Sequence, residues 1–169
     1  MSKTICDFEC FITMNTYVKL AISVLVCLAV GGISGYFTTS EITTWYATLH
    51  KPSFNPPNYL FAPVWTTLYI LMAISFWLIW KSDTSKDLKN KAMLFFCIQL
   101  ALNFFWSIIF FNLHQPGYAF TEIILMWIFI LLSMYAFHPI SKTAAYLLIP
   151  YLCWVSFAAV LNYSIWQLN

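Results

Sequence analysis

The sequence predicts an all-α integral membrane protein, a five-transmembrane-helix bundle with a lid-like loop between helices one and two. Three observations carry that prediction. Only 8% of the 169 residues are charged and 62% are hydrophobic, whereas an ordinary soluble domain is about 25% charged. Five apolar runs follow one another: Leu20–Ser40, Tyr59–Trp80, Ala92–Leu113, Tyr118–Phe137 and Ala144–Trp166. Each is close to the roughly 20 residues a helix needs to cross a hydrocarbon core about 30 Å thick. Between the first two runs lies Trp45–Trp65, which holds four of the seven prolines. Proline fixes φ and lacks an N–H, so Pro52, Pro56 and Pro57 cannot sit inside a continuing helix. Lys51 and Asn55, which precede prolines, are pushed towards extended geometry. The segment is therefore stiff, and Trp45, Tyr46, Phe54, Tyr59, Phe61 and Trp65 give it rings to pack. It is predicted to be a lid.

Residues 1–17 form a tail with Lys3, Asp7 and Glu9 but no periodicity, and Met14 offers a second start. Residues 18–169 form the membrane domain. A cleaved signal peptide is the alternative for span one, with small residues over Ala29–Gly35. The run is longer than a usual signal core, however, and four more spans follow. Gly31, Gly32, Ser34 and Gly35 allow a neighbouring backbone or a ligand to come close, tight helix packing being the commoner meaning. Thr38 and Glu41 have capping-box spacing, which predicts a short helix over Ile42–Leu49. Ile42, Trp45 and Leu49 would share its face along the membrane surface.

Span two carries Pro63 near its start, where proline is tolerated. Trp65, Tyr69 and Met72 recur on one of its faces, and Trp77 and Trp80 anchor its far end. Span three places Gln99 and Asn103 at membrane depth, where amides must bond across helices or face a cavity. Trp106 and Phe110 follow Asn103 at i+3 and i+7. Cys97 and Ala101 make a small-residue pair suited to a homodimer. Glu122 lies in the first turns of span four, where the helix dipole favours negative charge. In span five, Pro150 precedes a stripe of Trp154, Ala158 and Asn162, which reads as helix packing or as a pocket wall.

All eight basic residues are lysines. With alternating spans, one side holds Lys3, Lys19, Lys81, Lys86, Lys89, Lys91 and Lys142, and the other only Lys51. The positive-inside rule then predicts a multi-pass protein of the cytoplasmic membrane, N-terminus inside, C-terminus and lid outside. The five cysteines make no disulfide framework. His50, His114 and His138 fall in three separate loops, so no metal site is expected. Nucleic-acid binding has no support.

Several segments in order resemble the TspO/MBR family, the tryptophan-rich sensory proteins that include the mitochondrial translocator protein. The most specific is W-Y-x-x-L-x-K-P-S-F-x-P-P at Trp45–Pro57, followed by P-V-W-T-x-L-Y at Pro63–Tyr69. A-L-N-F-F-W at Ala101–Trp106, P-Y-L-x-W-x-x-F-A at Pro150–Ala158 and L-N-Y at Leu161–Tyr163 complete the series. The resemblance implies a five-transmembrane-helix bundle with a ligand pocket capped by the loop between helices one and two, binding tetrapyrroles such as protoporphyrin IX and haem, with no cofactor required. Carried over by motif, the ligand-binding residues are Tyr46, Pro56, Trp65, Asn103, Trp106, Trp154 and Ala158. Some members degrade protoporphyrin in light, and Trp65 and Trp154 occupy the positions implicated there. The chain departs from the family where a sterol-recognition pattern needs a basic residue after Tyr163, since it reads S-I-W-Q-L-N. Cholesterol binding is discounted accordingly. Phe54 stands where many relatives have a second tryptophan.

Three readings of function follow. The first is a membrane tetrapyrrole-binding protein acting as sensor, carrier or regulator of porphyrin. The second is light-dependent oxidative degradation of protoporphyrin. The third is transport of another small apolar ligand, weakened because no internal repeat is present and Glu122 alone is ionisable within the spans. The spans hold no acid/base pair, nucleophile triad or metal cluster, so any chemistry would be driven by the ligand. Its propionates would sit near water, within reach of His50 and Lys51.

Overall fold

A computed structural model of the chain describes residues 15–169; the tail before it, with Cys6, Cys10 and Met14, lies outside the described residues. The first helix, α1 (Thr16–Ile42), opens on Asn15, whose side chain accepts the Tyr17 N–H at 3.0 Å. It runs straight through Thr38 and Glu41, so the expected capping box is not used. Neither Gly nor Pro interrupts residues 36–44, and the Thr38 hydroxyl donates back to the Ser34 carbonyl at 2.9 Å. The short helix shrinks to α2 (Trp45–Thr48). The expected face is split, Ile42 ending α1 and Trp45 and Leu49 lying on and just past α2, all three half-buried. Trp45 and Leu49 turn onto the protein, packing against a cluster around Phe110 and Phe111.

A 3-10 turn at Asn58–Leu60 leads into α3 (Phe61–Lys81). Next comes α4 (Lys86–Ser107), which widens into a π-helical turn at Ile108–Asn112. His114 follows with φ 54°, and α5 (Pro116–Phe137) begins on Pro116. The fifth predicted span is two helices, α6 (Lys142–Leu147) and α7 (Ile149–Leu168). Pro150 has no N–H to offer the carbonyl of Tyr146, so the ladder breaks just ahead of it. Five stretches are long and apolar enough to cross a membrane, Thr16–Ile42, Asn58–Lys81, Lys86–Asn112, Pro116–Phe137 and Lys142–Leu168. The chain is an all-helical, multi-pass integral membrane protein.

Two apolar clusters organise the interior. The larger joins Met72 and Ile79 of α3, Phe96 of α4, Ile123, Met126 and Ile130 of α5, and Tyr151 and Val155 of α7. Lipid supplies no hydrophobic drive between helices, so polar ties across them matter more. The Ser75 hydroxyl donates to the Ala144 carbonyl at 2.7 Å, and Trp127 Nε1 donates to the Ser156 hydroxyl at 2.8 Å. The smaller cluster joins Tyr46, Phe110, Phe111, Ala119, Leu161 and Ile165 at the α2 end.

Candidate functional site

A cavity of about 410 Å³ opens where the two clusters meet, bordered by α1, α2, α3, α4 with its π turn, and α7. That volume falls within the roughly 300–1,000 Å³ usual for small-molecule sites. Its walls are chiefly rings and aliphatic groups. Tyr46, Trp65, Asn103, Trp106, Trp154 and Ala158 all line it. Four separate helices therefore bring six of the seven residues singled out by motif to one surface. Pro56 does not line it. Its carbonyl instead accepts from Asn55 Nδ2 at 3.1 Å, and Asn55 Oδ1 accepts the Tyr46 hydroxyl at 2.8 Å. Pro56 thus steadies Asn55, which in turn holds Tyr46 at the cavity wall.

The floor is a buried polar relay. The Tyr69 hydroxyl donates to Asn103 Oδ1, and Asn103 Nδ2 donates to the Tyr151 hydroxyl at 3.1 Å. Tyr151 is fully buried and donates in turn to Met126 Sδ at 3.3 Å. Asn103 meets the cost of an amide at membrane depth by bridging α3 and α7 while still bordering the cavity. One turn on, Trp106 Nε1 donates to Asn162 Oδ1 at 3.1 Å, and Asn162 Nδ2 donates to the Pro116 carbonyl at 2.7 Å. The indole plane of Trp106 is thereby set, and it stacks on Phe110 at 5.2 Å. The stripe Trp154, Ala158, Asn162 is a cavity wall along its whole length.

At the loop end, burial pushes the Tyr46 phenol up to about 12, which keeps it a donor to Asn55. Lys51 Nζ lies 4.5 Å from the Tyr46 ring centre. His114 stacks on Trp45 at 4.3 Å and reaches Glu41 at 3.3 Å, joining the end of α1 to the π turn. The His50 backbone pairs twice with the Asn169 side chain, at 2.9 and 3.0 Å. Neither His50 nor Lys51 lines the cavity. Glu122 also lies off it; its carboxylate oxygens are buried, with no partner among the described residues.

Several liners escaped the motif reading. Tyr69 ends the Pro63–Tyr69 motif and shares a face with Trp65 but is not among the carried-over ligand residues; its i+4 spacing from Trp65 is the available signal. Phe110 carries one in its i+7 spacing from Asn103, whereas Phe111 in the π turn and Thr38, Thr39 and Ile42 in the last turns of α1 carry none that points to a cavity. The glycines of α1 divide between both meanings given to them. All three line the cavity, but a Cβ on Gly31 would stand 2.5 Å from the Tyr69 ring, whereas one on Gly32 or Gly35 has nothing within 4 Å.

Sequence comparison agrees with this architecture. The chain is 47% identical over 150 residues to the tryptophan-rich protein TspO of Chlorobaculum tepidum, covering 89% of this chain and 95% of that one. It is 40% identical over 144 residues to the translocator protein of Bos taurus, covering 83% and 85%. It is 34% identical over 125 residues to the tryptophan-rich sensory protein of Cereibacter sphaeroides, covering 74% and 77%. The profile of the TspO/MBR family matches residues 23–167, which takes in every wall of the cavity: the chain belongs to that family.

Proposed function

We propose that the cavity binds a tetrapyrrole, protoporphyrin IX or haem, and that the protein serves as a membrane sensor, carrier or regulator of porphyrin. One observation carries the reading: Trp65, Trp106 and Trp154 border a single apolar cavity that holds few polar groups. A porphyrin is a flat π-disc with charged propionates on one edge. Well-placed aromatic pairs add about 0.5–1.5 kcal/mol each beyond area burial. Charges resist burial, so the propionate edge belongs at the loop end, near Lys51. Tyr46 and Asn58 border the cavity from that side, which supports the segment between α1 and α3 as its cap. The names of relatives, translocator and sensory protein, accord with carriage or sensing.

The lysines support the orientation read from sequence. Lys19, Lys81, Lys86, Lys89, Lys91 and Lys142 lie at one end of the spans and Lys51 at the other, which supports a cap outside the cytoplasm. Cys97 and Ala101 lie exposed on α4, the outward position that a homodimer surface requires.

A second reading, photo-oxidative degradation, draws on Trp65 and Trp154 bordering the same cavity. A bound, light-excited porphyrin would have two indole electron donors beside it, with dioxygen as oxidant. The test is a titration of purified protein with protoporphyrin IX in the dark, followed by illumination. Tryptophan quenching in the dark, without light-dependent loss of porphyrin absorbance, supports binding alone. Loss that vanishes in Trp65→Phe or Trp154→Phe supports the enzyme. An absence of quenching refutes both.

A further inference from the structure

We propose that the ligand enters and leaves this cavity sideways, from the hydrocarbon of the bilayer, through an opening between α1 and α3 on the loop side of the Gly31–Tyr69 contact. The proposal rests on the binding reading above and deepens it: the ligand class is one that dissolves in lipid before it binds.

Gly31 and Tyr69 mark where the two helices are sealed. A Cβ on Gly31 would overlap the Tyr69 ring at 2.5 Å, so backbone and ring are in contact there. On α3, Ala62, Thr66, Tyr69 and Ala73 recur at helical spacing along one stripe. Tyr69 and Ala73 are buried, yet Ala62 and Thr66 are exposed while still lining the cavity. The stripe that is shut at Tyr69 is therefore open one and two turns nearer the loop.

On α1 the wall grades outward in the same way. At about 100° per residue, Ser34, Thr38, Gly35, Thr39 and Gly32 succeed one another around the helix. Along that arc burial falls from Ser34, buried, through Thr38 and Gly35, half-buried, to Thr39 and Gly32, exposed. All five line the cavity. The wall runs to the outer edge of α1 without a break, and α1 is the least buried of the five spans.

The chemistry of the rim suits hydrocarbon. The Thr38, Thr39 and Thr66 hydroxyls donate to the carbonyls of Ser34, Gly35 and Ala62 at 2.9, 2.7 and 2.8 Å. The rim hydroxyls thus reach lipid already bonded, as a polar group must. The loop route is tied instead, by Tyr46 to Asn55, Trp45 to His114 and His50 to Asn169.

The test uses the whole chain in phosphatidylcholine vesicles, with protoporphyrin IX as probe and tryptophan quenching followed after rapid mixing. Gly32→Phe puts a ring at the open edge, where a Cβ has no neighbour. Association and dissociation should both slow, about tenfold and in the same proportion, because a gate changes rates and not the balance between them. Thr66→Phe, on the opposite helix, should do likewise, so a folding defect in one variant does not decide the matter. Wild-type rates in both variants, or faster exchange in Asn169→Ala with both variants inert, would mean entry through the loop and overturn the proposal. Weaker affinity with unchanged association would make these residues part of the seat, and would also overturn it. No quenching in the wild type removes the binding reading itself, and this proposal with it.

Discussion

Alanine at three neighbouring glycines of α1 should have opposite effects, and the difference can be worked out from the structure. Relative to glycine, alanine favours a helix interior by roughly 0.5–1 kcal/mol. At Gly32 and Gly35 nothing lies within 4 Å of the new methyl, so that gain stands alone. At Gly31 the methyl would sit 2.5 Å from two carbons of the Tyr69 ring. The ring is 4% exposed and held at its hydroxyl by Asn103, so it yields only by swinging into the cavity it borders. Overpacking of this kind costs about 1–3 kcal/mol, and swinging the ring aside would forfeit an interhelical bond worth about 0.6 kcal/mol in a membrane. Gly31→Ala is therefore expected to lose about 1–2 kcal/mol net, and Gly32→Ala and Gly35→Ala to lose nothing or gain up to about 1. Thermal unfolding of the three variants in one detergent measures this. Adding Tyr69→Ala to Gly31→Ala should recover about 1 kcal/mol through coupling between contacting residues. Gly31→Ala as stable as Gly32→Ala would refute the contact, and with it the sealed point from which the lateral opening is reckoned.

Three further outcomes are expected. Asn103→Leu strips the Tyr69 hydroxyl of its acceptor and the Tyr151 hydroxyl of a donor; at about 0.6–1.7 kcal/mol per bond in a membrane, chemical unfolding should show a loss of about 1–3 kcal/mol. Raising the pH should loosen the loop. The Tyr46 phenol is pushed from an ordinary 10.0 up to about 12, so the folded loop binds its proton more tightly than the unfolded chain does. Its contribution is whole below the lower value and is lost as pH climbs through the upper one; an alkaline unfolding limb that Tyr46→Phe leaves unchanged would contradict this. Gly117→Ala should cost little, under about 0.5 kcal/mol, because the Trp166 ring it would meet at 2.9 Å is 43% exposed and free to turn.

What the sequence disclosed depended on the range of each interaction. Span number followed from composition alone, since hydrocarbon thickness sets helix length, and all five spans were legible within a few residues. Element ends were not, because they turn on local competition. Thr38 serves the carbonyl of its own preceding turn, which no spacing rule separates from a cap. Pro150, which the sequence marks only as preceding the Trp154 stripe, sits in the first turn of α7 and breaks the ladder ahead of it. Motif spacing placed Trp65, Asn103, Trp106, Trp154 and Ala158 on shared faces, and the bundle turns those faces inward. Pro56 shows the opposite case: its place in the motif marked it for the cavity, yet its carbonyl supports Asn55. The His114–Glu41 and His50–Asn169 contacts join residues 73 and 119 positions apart. Nothing in one chain's pattern announces such pairs.

The two ends of the cavity are held by different classes of interaction, and that difference bears on how it would work. Below, Tyr69, Asn103 and Tyr151 are bonded inside the bundle, where no water competes for them and any rupture strands a buried hydroxyl. Above, His114 with Glu41 and Asn169 with His50 lie in exposed positions, where such contacts are worth about 0–1 kcal/mol each. Local opening follows the weakest ties, so the loop end, held shut at rest while the edge of α1 stands open, should still loosen before the floor does. A rigid aromatic seat beneath a looser rim suits a ligand that must be held flat yet exchanged. Hydrogen exchange in micelles would show it as fast amides over residues 43–60 and slow ones around Asn103. Equal protection at both ends would remove the distinction between seat and rim.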